Sequence, residues 1–381
     1  MAGWTIPRIA AVTTLAVAML VINVLPAVTG VLSRQLGLAP DVLGALGSAA
    51  LLGSAVGTAG ALAAVRYLSP RATVLCGLIT FSLSNLAVCL AARPLTLILF
   101  STGAGIGTGL AASACYYIFG LEAQERNSAA GSLGQTAVAT AVISAIPVLS
   151  RTYGWQATYV CFAVLALPCV LLTLTFPRCY VRDDSTQSSR SGSGAGSSFW
   201  NLLSVALTGI SIFMVWTYLD QMGVAVGVPQ ISIDRALSLA TVCGFVSSAL
   251  VILAGRKVTT PAVLVTCIIL DVAGTFGTGA ATPGVYVTAV AVFYFSLPIF
   301  LAAQFAILMR GAQSKRFAVH YSLALQFAGL GPLIGGYLAQ LLGFGTLRVV
   351  AVLLMVAALG ILWMGIVRQH GDKLRASGVS V

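Results

Sequence analysis

The chain has 381 residues, of which 59% are hydrophobic and 8% are charged, whereas a typical soluble domain carries about 25% charged residues. So few charges cannot cover the surface of a soluble protein, and this composition predicts a protein that is embedded in lipid. The net charge of +11 does not indicate nucleic-acid binding, because the basic residues stand singly between apolar runs and form no stripe interleaved with aromatic residues.

Charged residues and Pro/Gly clusters divide the chain into twelve apolar segments, each long enough for a transmembrane helix of about 20 residues. The six segments of the first half are 9–33, 42–65, 72–92, 94–119, 128–150 and 156–176. The six segments of the second half are 198–222, 235–255, 260–280, 283–309, 317–342 and 344–367. Because these segments are apolar on all sides, without the alternation of a barrel strand, they predict an all-α membrane protein.

The basic residues between the segments predict the orientation, because cytoplasmic loops of membrane proteins carry an excess of Lys and Arg. If the N-terminus lies inside, fifteen of the 20 Lys and Arg residues fall on the inner side and five on the outer side. The five on the outer side are Arg34, Arg93, Arg151, Arg235 and Arg348. We therefore expect both termini in the cytoplasm, with the protein in a bacterial inner membrane.

A polar tract separates the two groups of six segments. It covers residues 177–198, is rich in Gly and Ser, and predicts a flexible cytoplasmic linker. The expected domains are thus a six-helix bundle over 1–176, this linker, and a second six-helix bundle with a short cytoplasmic tail over 199–381.

The two halves also resemble each other weakly in sequence. Aligning Ser69-Pro70 with Thr260-Pro261 also pairs a basic residue with a basic residue, a cysteine with a cysteine, and a glutamine with a glutamine. These pairs are Arg66 with Lys257, Cys76 with Cys267, and Gln135 with Gln326. Such a repeat is typical of transporters with two pseudo-symmetric halves. The two glutamines occupy matching places, from which they could bond across the halves.

Two helical bundles of six, joined by a cytoplasmic linker, resemble the major facilitator superfamily, and two local sequences carry the resemblance most closely. The first is Glu125-Arg126 followed by Gln135, Pro147 and Gly154-Trp155, which is similar to the family's stretch from the loop before helix 5 to the start of helix 6. The second is Gly331-Pro332-Leu333-Ile334-Gly335-Gly336, which is similar to its glycine-rich helix 11. The chain is most similar to the short bacterial sugar- and drug-efflux branch.

Three family motifs are altered in this chain. The loop after helix 2 reads Gly60-Ala61-Leu62-Ala63-Ala64 and lacks the usual Asp. Leu99 stands where many proton-coupled members carry an Arg in helix 4, and the stretch from Thr140 to Pro147 lacks the glycine-proline motif of many antiporters. These departures leave the fold prediction unchanged but weaken the case for proton-coupled drug antiport.

The resemblance implies two groups of gating residues. The first group lies in the loops after helices 2 and 4 and consists of Arg66, Arg71, Glu125 and Arg126. The second group lies in helix 11 and consists of Gly331, Pro332, Gly335 and Gly336. Proline removes a helical hydrogen bond and bends the chain, so helix 11 is expected either to flex during transport or to hold a static kink.

Two acids lie inside the predicted segments, Asp220 near the outer end of segment 7 and Asp271 midway along segment 9. A charge at the membrane centre costs about 2.5–3.5 kcal/mol even on insertion scales, so both acids are candidates for proton coupling. The resemblance implies that helix 7 lines a cavity and helix 9 does not, which makes Asp220 wet and accessible and Asp271 buried. The alternatives are a charge at the membrane surface for Asp220 and a structural hydrogen-bonded or protonated acid for Asp271.

The resemblance also implies that helices 1, 4, 7 and 10 line a central cavity. Their polar and aromatic residues near mid-depth are candidates for substrate binding: Asn23, Thr108, Tyr116, Ser211, Trp216, Tyr294, Ser296 and Gln304. An amphipathic cavity with few charges suits an uncharged or weakly charged organic solute. Ordinary helix packing is the alternative for each residue.

These observations predict a monomeric secondary transporter that works by alternating access and exports a small organic metabolite or drug, with coupling to protons left open. Uptake of a small organic solute by the same fold is the first alternative, and a non-transporting membrane receptor or scaffold is the second. No nucleophile–base set or cofactor loop is visible, and the eight cysteines form no C-x-x-C pair with a histidine partner. We therefore expect that the protein is not an enzyme and that it binds neither a cofactor nor a metal ion.

Overall fold

The computed structural model describes residues 6–65, 67–121, 124–179, 195–258, 260–311 and 324–376. All regular secondary structure in these ranges is helical, as the composition predicts. The predicted linker falls mostly outside the described residues, because the structure describes nothing between positions 180 and 194.

The first half contains eight described α-helices. They are α1 (Ile6–Ala18), α2 (Leu20–Asn23), α3 (Leu25–Leu36), α4 (Pro40–Ala64), α5 (Pro70–Val88), α6 (Pro94–Leu121), α7 (Gln124–Tyr153) and α8 (Gln156–Leu172). The first three follow one another almost without interruption over the predicted first segment. A short 3₁₀ turn, Thr173–Thr175, ends this half.

The second half contains six described α-helices. They are α9 (Ala195–Trp216), α10 (Leu219–Ala225), α11 (Gln230–Ala254), α12 (Pro261–Gly277), α13 (Pro283–Gly311) and α14 (Leu330–Ala376). Helix α14 is broken at Gly343, whose φ of 81° and ψ of 168° are not helical. Two 3₁₀ turns, Gly255–Val258 and Phe327–Gly329, lie at the ends of helices in this half.

The helices agree with the predicted segments. Within the described residues, nine helical stretches are long and apolar enough to cross a membrane, and two shorter helices, α1 and α12, are also apolar. The last of the nine covers both of the final predicted segments, which meet at Gly343. Large apolar side chains such as Leu83, Leu90, Leu253 and Leu341 remain exposed around the bundle, as a lipid-facing surface requires.

Proline sets the start of several helices. Helices α4, α5, α6, α12 and α13 each begin at a proline, a residue whose fixed φ and missing N–H are tolerated in the first turn. Ser69 caps α5 by accepting a hydrogen bond from the Ala72 N–H at 3.1 Å, and Thr260 caps α12 by accepting one from Val263 at 3.3 Å. The weak sequence repeat thus corresponds to the same local structure in both halves.

A second pair of matching features interrupts the first membrane-spanning segment of each half. Val24 separates α2 from α3 with φ −105° and ψ 11°, and Tyr218 separates α9 from α10 with φ −109° and ψ 11°. Both breaks lie towards the Arg34 end of the bundle, which we define as the end where α3 finishes. The matching breaks agree with two pseudo-symmetric halves.

The halves contact each other mainly through two helix pairs, α4 with α14 and α7 with α11. Glycine permits the first contact, because a Cβ atom at Gly44 would overlap the carbonyl oxygen of Pro332, and one at Gly336 would approach that of Pro40. Small residues let the backbones of membrane helices come this close. Two glycine-lined backbones therefore form part of the interface between the halves.

Pro332 also distorts the chain before it. The 3₁₀ turn Phe327–Gly329 lies immediately before α14. Because Pro332 has no N–H, the carbonyl of Ala328 loses its ordinary i+4 donor, and a tighter turn is the usual result. The distortion predicted for helix 11 is present, while its use in gating stays a prediction.

Candidate functional site

Three polar side chains of the first half form a hydrogen-bonded group that joins three helices. The Asn23 amide donates to the Gln135 side-chain oxygen at 3.4 Å, and Gln135 also shares a hydrogen bond with the Tyr116 hydroxyl. Asn23 and Gln135 are half-buried and Tyr116 is 44% exposed. Residues from α2, α6 and α7 therefore present amide and phenol groups that remain partly accessible.

Two aromatic side chains of the second half form a stacked pair. The rings of Trp216 and Tyr294 lie 4.4 Å apart between centroids at an interplanar angle of 25°. Gly244 of α11 leaves room for this pair, because a Cβ atom there would overlap the Tyr294 ring and would also meet the Thr136 methyl group at 3.3 Å. Thr136 is the neighbour of Gln135, so the aromatic pair lies close to the polar group of the other half.

We call these five residues the central cluster: Asn23, Tyr116, Gln135, Trp216 and Tyr294. All five side chains are uncharged at neutral pH. They come from the first, fourth, fifth, seventh and tenth predicted segments and so from both halves of the chain. An aromatic pair beside hydrogen-bonding amides is suited to bind an uncharged organic ring compound.

A hydrogen bond joins the aromatic pair to the first half. The Trp216 indole N–H donates to the Ile22 carbonyl at 3.4 Å. In a regular helix this carbonyl would accept from the N–H four residues later, but that residue is Pro26, which has no N–H. Pro26 therefore leaves the Ile22 carbonyl without its helical donor, and Trp216 of the second half donates to that carbonyl instead.

The other four predicted binding residues are buried in helix contacts. The Thr108 hydroxyl donates to the Ala18 carbonyl at 2.8 Å, and the Ser211 hydroxyl donates to the Ala351 carbonyl at 2.7 Å. Gln304 donates to the Thr208 hydroxyl at 3.3 Å, and Ser296 bonds the carboxyl group of Asp271. Each of these contacts lies within one half, so the structure does not bring the four residues to the central cluster.

An ion-pair cluster joins the halves at the Arg34 end. Arg34 of α3 contacts the Asp220 carboxylate at 2.5 Å, and Arg151 of α7 contacts the Asp234 carboxylate at 3.0 Å. The Gln230 amide donates to both acids, at 3.1 Å to Asp220 and 2.9 Å to Asp234. Two arginines of the first half thus hold two aspartates of the second half, and the four charges cancel.

Asp220 lies near the predicted outer end of its segment, but it is not exposed to water. It is 1% exposed, whereas the expectation was a wet and accessible carboxylate. The α9–α10 break and the absence of a side chain at Gly30 explain this burial, because a Cβ atom at Gly30 would overlap the Asp220 carboxylate. The acid is thereby buried between the halves, next to Arg34.

Further contacts across the halves surround the ion pairs. The Thr29 hydroxyl donates to the Thr217 carbonyl at 2.8 Å. The Tyr218 hydroxyl lies 2.8 Å from the carbonyls of both Pro40 and Pro332, and its single proton can serve one of them at a time. The Arg34 end is thus closed by polar contacts that involve α3, α4, α10 and α14.

A small cavity lies beneath the ion-pair cluster. Its polar lining consists of Arg34, Asp220 and Asp234, and apolar residues of α3, α7 and α11 complete it. The acids therefore face an internal space between the halves.

Asp271 lies elsewhere, between α12 and α13. It is 2% exposed and hydrogen-bonded to Ser296, so it is buried as the resemblance implied. The two acids predicted for proton coupling are thus both buried, but only Asp220 contacts the opposite half.

The structure describes only part of the gating group that was predicted in the loops after helices 2 and 4. The Arg71 N–H donates to the Pro177 carbonyl at 3.3 Å. Arg66 lies outside the described residues, and for Glu125 and Arg126 the structure describes the helical backbone without the side chains. Their gating roles stay predictions.

The sequence analysis missed two features of these sites. Gln135 was expected to bond Gln326 across the halves, but it bonds Asn23 and Tyr116 within its own half. Arg34 and Arg151 were treated as loop charges and Asp234 was not considered, although all three belong to the ion-pair cluster. The signal that could have indicated them is the presence of opposite charges on both halves at the same predicted membrane face.

Comparison with known proteins agrees with this architecture. The Major Facilitator Superfamily profile matches residues 10–324. The chain belongs to this superfamily. It is therefore a multi-pass membrane transporter of small solutes, embedded in lipid, as the sequence analysis predicted.

Two solved structures have a similar fold. One is a mutant of the nucleoside transporter NupG, with a TM-score of 0.68 and 12% identity over 97% of this chain and 100% of that chain. The other is the inward-open conformation of the xylose transporter XylE from E. coli, with a TM-score of 0.73 and 14% identity over 93% of this chain and 94% of that chain. A search of curated protein sequences finds no match. At these identities the likeness extends to the fold alone.

Proposed function

We propose that this chain is a monomeric secondary transporter that exports a small, uncharged organic solute across a bacterial inner membrane. The observation that carries this proposal is the central cluster, in which uncharged polar groups of one half lie beside an aromatic pair of the other. A site shared by two halves can open to either side when the halves rock against each other. Without a charged side chain, the cluster favours neutral solutes.

The conformation of the chain supports alternating access. The predicted outer end is closed by the ion-pair cluster, while Tyr116 in the central cluster is 44% exposed. This arrangement fits a state that is closed to the outside, with the solute site reached from the cytoplasm. Glu125, Arg126, Arg66 and Arg71, on the cytoplasmic side, would close the opposite end in the other state.

Protons offer a way to drive export through Asp220. When the outer end opens, the acid separates from Arg34 and meets water, where it can take up a proton from outside. A neutral Asp220 no longer attracts Arg34. To drive export, the outer end must close on the protonated acid, and Arg34 must then displace the proton into the internal cavity next to Asp220, from which it leaves to the cytoplasm. The absence of the helix-4 arginine supports the alternative, an uncoupled transporter.

Uptake remains the second candidate function. The two similar structures are those of a nucleoside transporter and a xylose transporter, and nucleosides and xylose are uncharged ring compounds. They are therefore the first compounds to test against this chain, in both directions.

Flux measurement tests the proposed function. Purified protein in vesicles should move one class of uncharged ring compounds faster than empty vesicles do, and an imposed pH gradient should drive them towards the acidic side. Thermal stabilisation by the same compound identifies it as a ligand, because binding stabilises the folded state. Gradient-driven movement away from the acidic side would establish uptake, and absence of flux and binding across a broad panel would favour a receptor or scaffold.

Cysteine labelling tests the orientation. In a variant without the eight native cysteines, single cysteines at Gln35 or Thr152 should react with an impermeant thiol reagent in intact cells. Cysteines at Ser188 or Gln313, which lie outside the described residues, should react only after the cells are opened. Labelling of Ser188 from outside would reverse the assignment of the ion-pair cluster to the outer face.

A further inference from the structure

Asp271 is buried between two helices of the second half and bonds a single side chain. Its Oδ1 atom contacts the hydroxyl group of Ser296 on α13. The same hydroxyl also contacts the carbonyl oxygen of Phe293 at 2.8 Å. Ser296 therefore lies between two oxygen atoms, one of a carboxyl group and one of a backbone carbonyl.

The number of protons available for these two contacts determines whether Asp271 is ionised or neutral. The Ser296 hydroxyl has one proton and can donate one hydrogen bond, while the Phe293 carbonyl can only accept. If Asp271 were ionised, it too could only accept, and one of the two contacts would join acceptor to acceptor. With a proton on Oδ1, Asp271 donates to Ser296, which donates to Phe293, and both contacts are hydrogen bonds.

The surroundings of the carboxyl group agree with the neutral state. The second oxygen, Oδ2, is buried without a hydrogen-bond partner in the described part of the chain. An ionised carboxylate in such a place would leave a buried charge uncompensated, at a cost of several kcal/mol. A neutral carboxyl group leaves only one weak acceptor unsatisfied.

The neighbouring titratable groups supply no positive charge to this site. Cys267, one turn earlier on α12, is close enough to interact with Asp271 electrostatically, but a thiol is not a cation. On α13 the Tyr286 hydroxyl bonds the Leu219 carbonyl, and Tyr294 stacks on Trp216. On α14 the Arg348 guanidinium lies against Gly279, beyond the end of α12.

We propose that Asp271 and Ser296 form a buried proton-binding site in which Asp271 is a neutral acid that fastens α12 to α13. This site differs from Asp220, which is paired with an arginine and contacts the other half. The proton on Asp271 is a structural constituent that stays bound during transport.

The position of Ser296 connects this site to the central cluster. Ser296 is two residues after Tyr294 and two before Pro298. Because Pro298 has no N–H, the Tyr294 carbonyl lacks its i+4 donor and α13 is weakened at this point. The bond from Asp271 supports the helix there, so loss of the proton should loosen the segment that carries Tyr294.

Thermal unfolding of the purified full-length protein tests the proposal. Unfolding exposes Asp271 to water, where an aspartate carboxyl group has a pKa of about 3.9 and is already ionised at neutral pH. The folded state therefore holds an extra proton, and the stability falls as the pH rises. Between about pH 6 and about pH 9 the wild-type melting temperature should fall by a few degrees more than that of Asp271→Asn. Asp234→Asn, which also removes a carboxylate from the second half, is the control and should keep the wild-type slope.

Infrared spectroscopy provides a second measurement, which does not depend on comparing the stabilities of wild type and variant. Wild-type protein should show the C=O band of a protonated carboxyl group that disappears at alkaline pH and is missing in Asp271→Asn. If Asp271→Asn does not fold, Asp271→Glu should keep the band and shift its position. A wild-type spectrum without such a band at neutral pH, or equal pH slopes for wild type and Asp271→Asn, would overturn the proposal.

Discussion

Asp220→Asn is expected to abolish or uncouple gradient-driven transport while the protein still folds and binds its solute. The substitution keeps the shape and the hydrogen-bonding capacity of the side chain but removes the charge that Arg34 contacts at 2.5 Å. Breaking a buried ion pair costs up to about 3–5 kcal/mol, and since Arg34 is partly exposed we expect about 1–3 kcal/mol here. Each 1.4 kcal/mol shifts a two-state equilibrium about tenfold, so the closed outer end should lose most of its population.

Proton-linked flux in vesicles, followed with a pH-sensitive dye, measures this effect alongside melting curves. Asp234→Asn is the matched control, because its partner Arg151 is 65% exposed and an exposed pair contributes about 0.2–1 kcal/mol. Normal transport by Asp220→Asn with an unchanged pH profile would make Asp220 an interfacial anchor. A wild type that is indifferent to a pH gradient would remove proton coupling altogether, and loss of coupling in a stable Asp271→Asn would transfer the role to Asp271.

Gln135→Leu is expected to weaken solute binding by about tenfold or more. Gln135 bonds both Asn23 and Tyr116, so its removal leaves two polar side chains without their partner and removes an amide from the central cluster. A bound solute covers these partly accessible groups, and leaving a buried polar group unsatisfied costs about 1–3 kcal/mol. A loss of about 1.4 kcal/mol in the bound state corresponds to a tenfold change in the dissociation constant. Ligand-induced thermal shift and flux measure the change.

Gln304→Leu is the matched control for this prediction. It makes the same amide-to-leucine exchange at a buried glutamine that bonds Thr208 within the second half, away from the central cluster. We expect it to alter stability but to leave the solute affinity within about twofold of wild type. Unchanged affinity in Gln135→Leu, or equal losses in both variants, would show that the central cluster does not bind the solute.

The sequence was sufficient to predict the fold because lipid imposes simple constraints on a chain. Each span must be apolar over about 20 residues and must satisfy its own backbone hydrogen bonds, so the helices α4 to α8 and α11 to α13 begin and end close to the predicted bounds. Proline before a helix marks several of these starts. The same pattern, together with the Gly331–Gly336 motif, carried the resemblance to the Major Facilitator Superfamily, and the profile match over residues 10–324 shows the membership.

Only the tertiary structure shows which way the polar side chains point and which groups they bond. The candidates Asn23, Tyr116, Trp216 and Tyr294 belong to the central cluster. Thr108, Ser211, Ser296 and Gln304 bond neighbouring helices instead, although all eight residues lie on the same four predicted segments. Composition and span boundaries do not determine which way a side chain points, because that depends on helix rotation and on breaks such as the one at Tyr218.

The sequence by itself therefore determined that this protein crosses a membrane repeatedly, in two similar halves, with two acids placed inside its apolar segments. Only the tertiary structure decided that Asp220 pairs with Arg34 across the halves while Asp271 bonds Ser296 within one half. The physical reason is that the cost of burying a charge can be estimated for one residue in its segment, but the group that compensates this cost lies far away in the chain. For Asp220 that group is 186 residues away, and folding brings the two together.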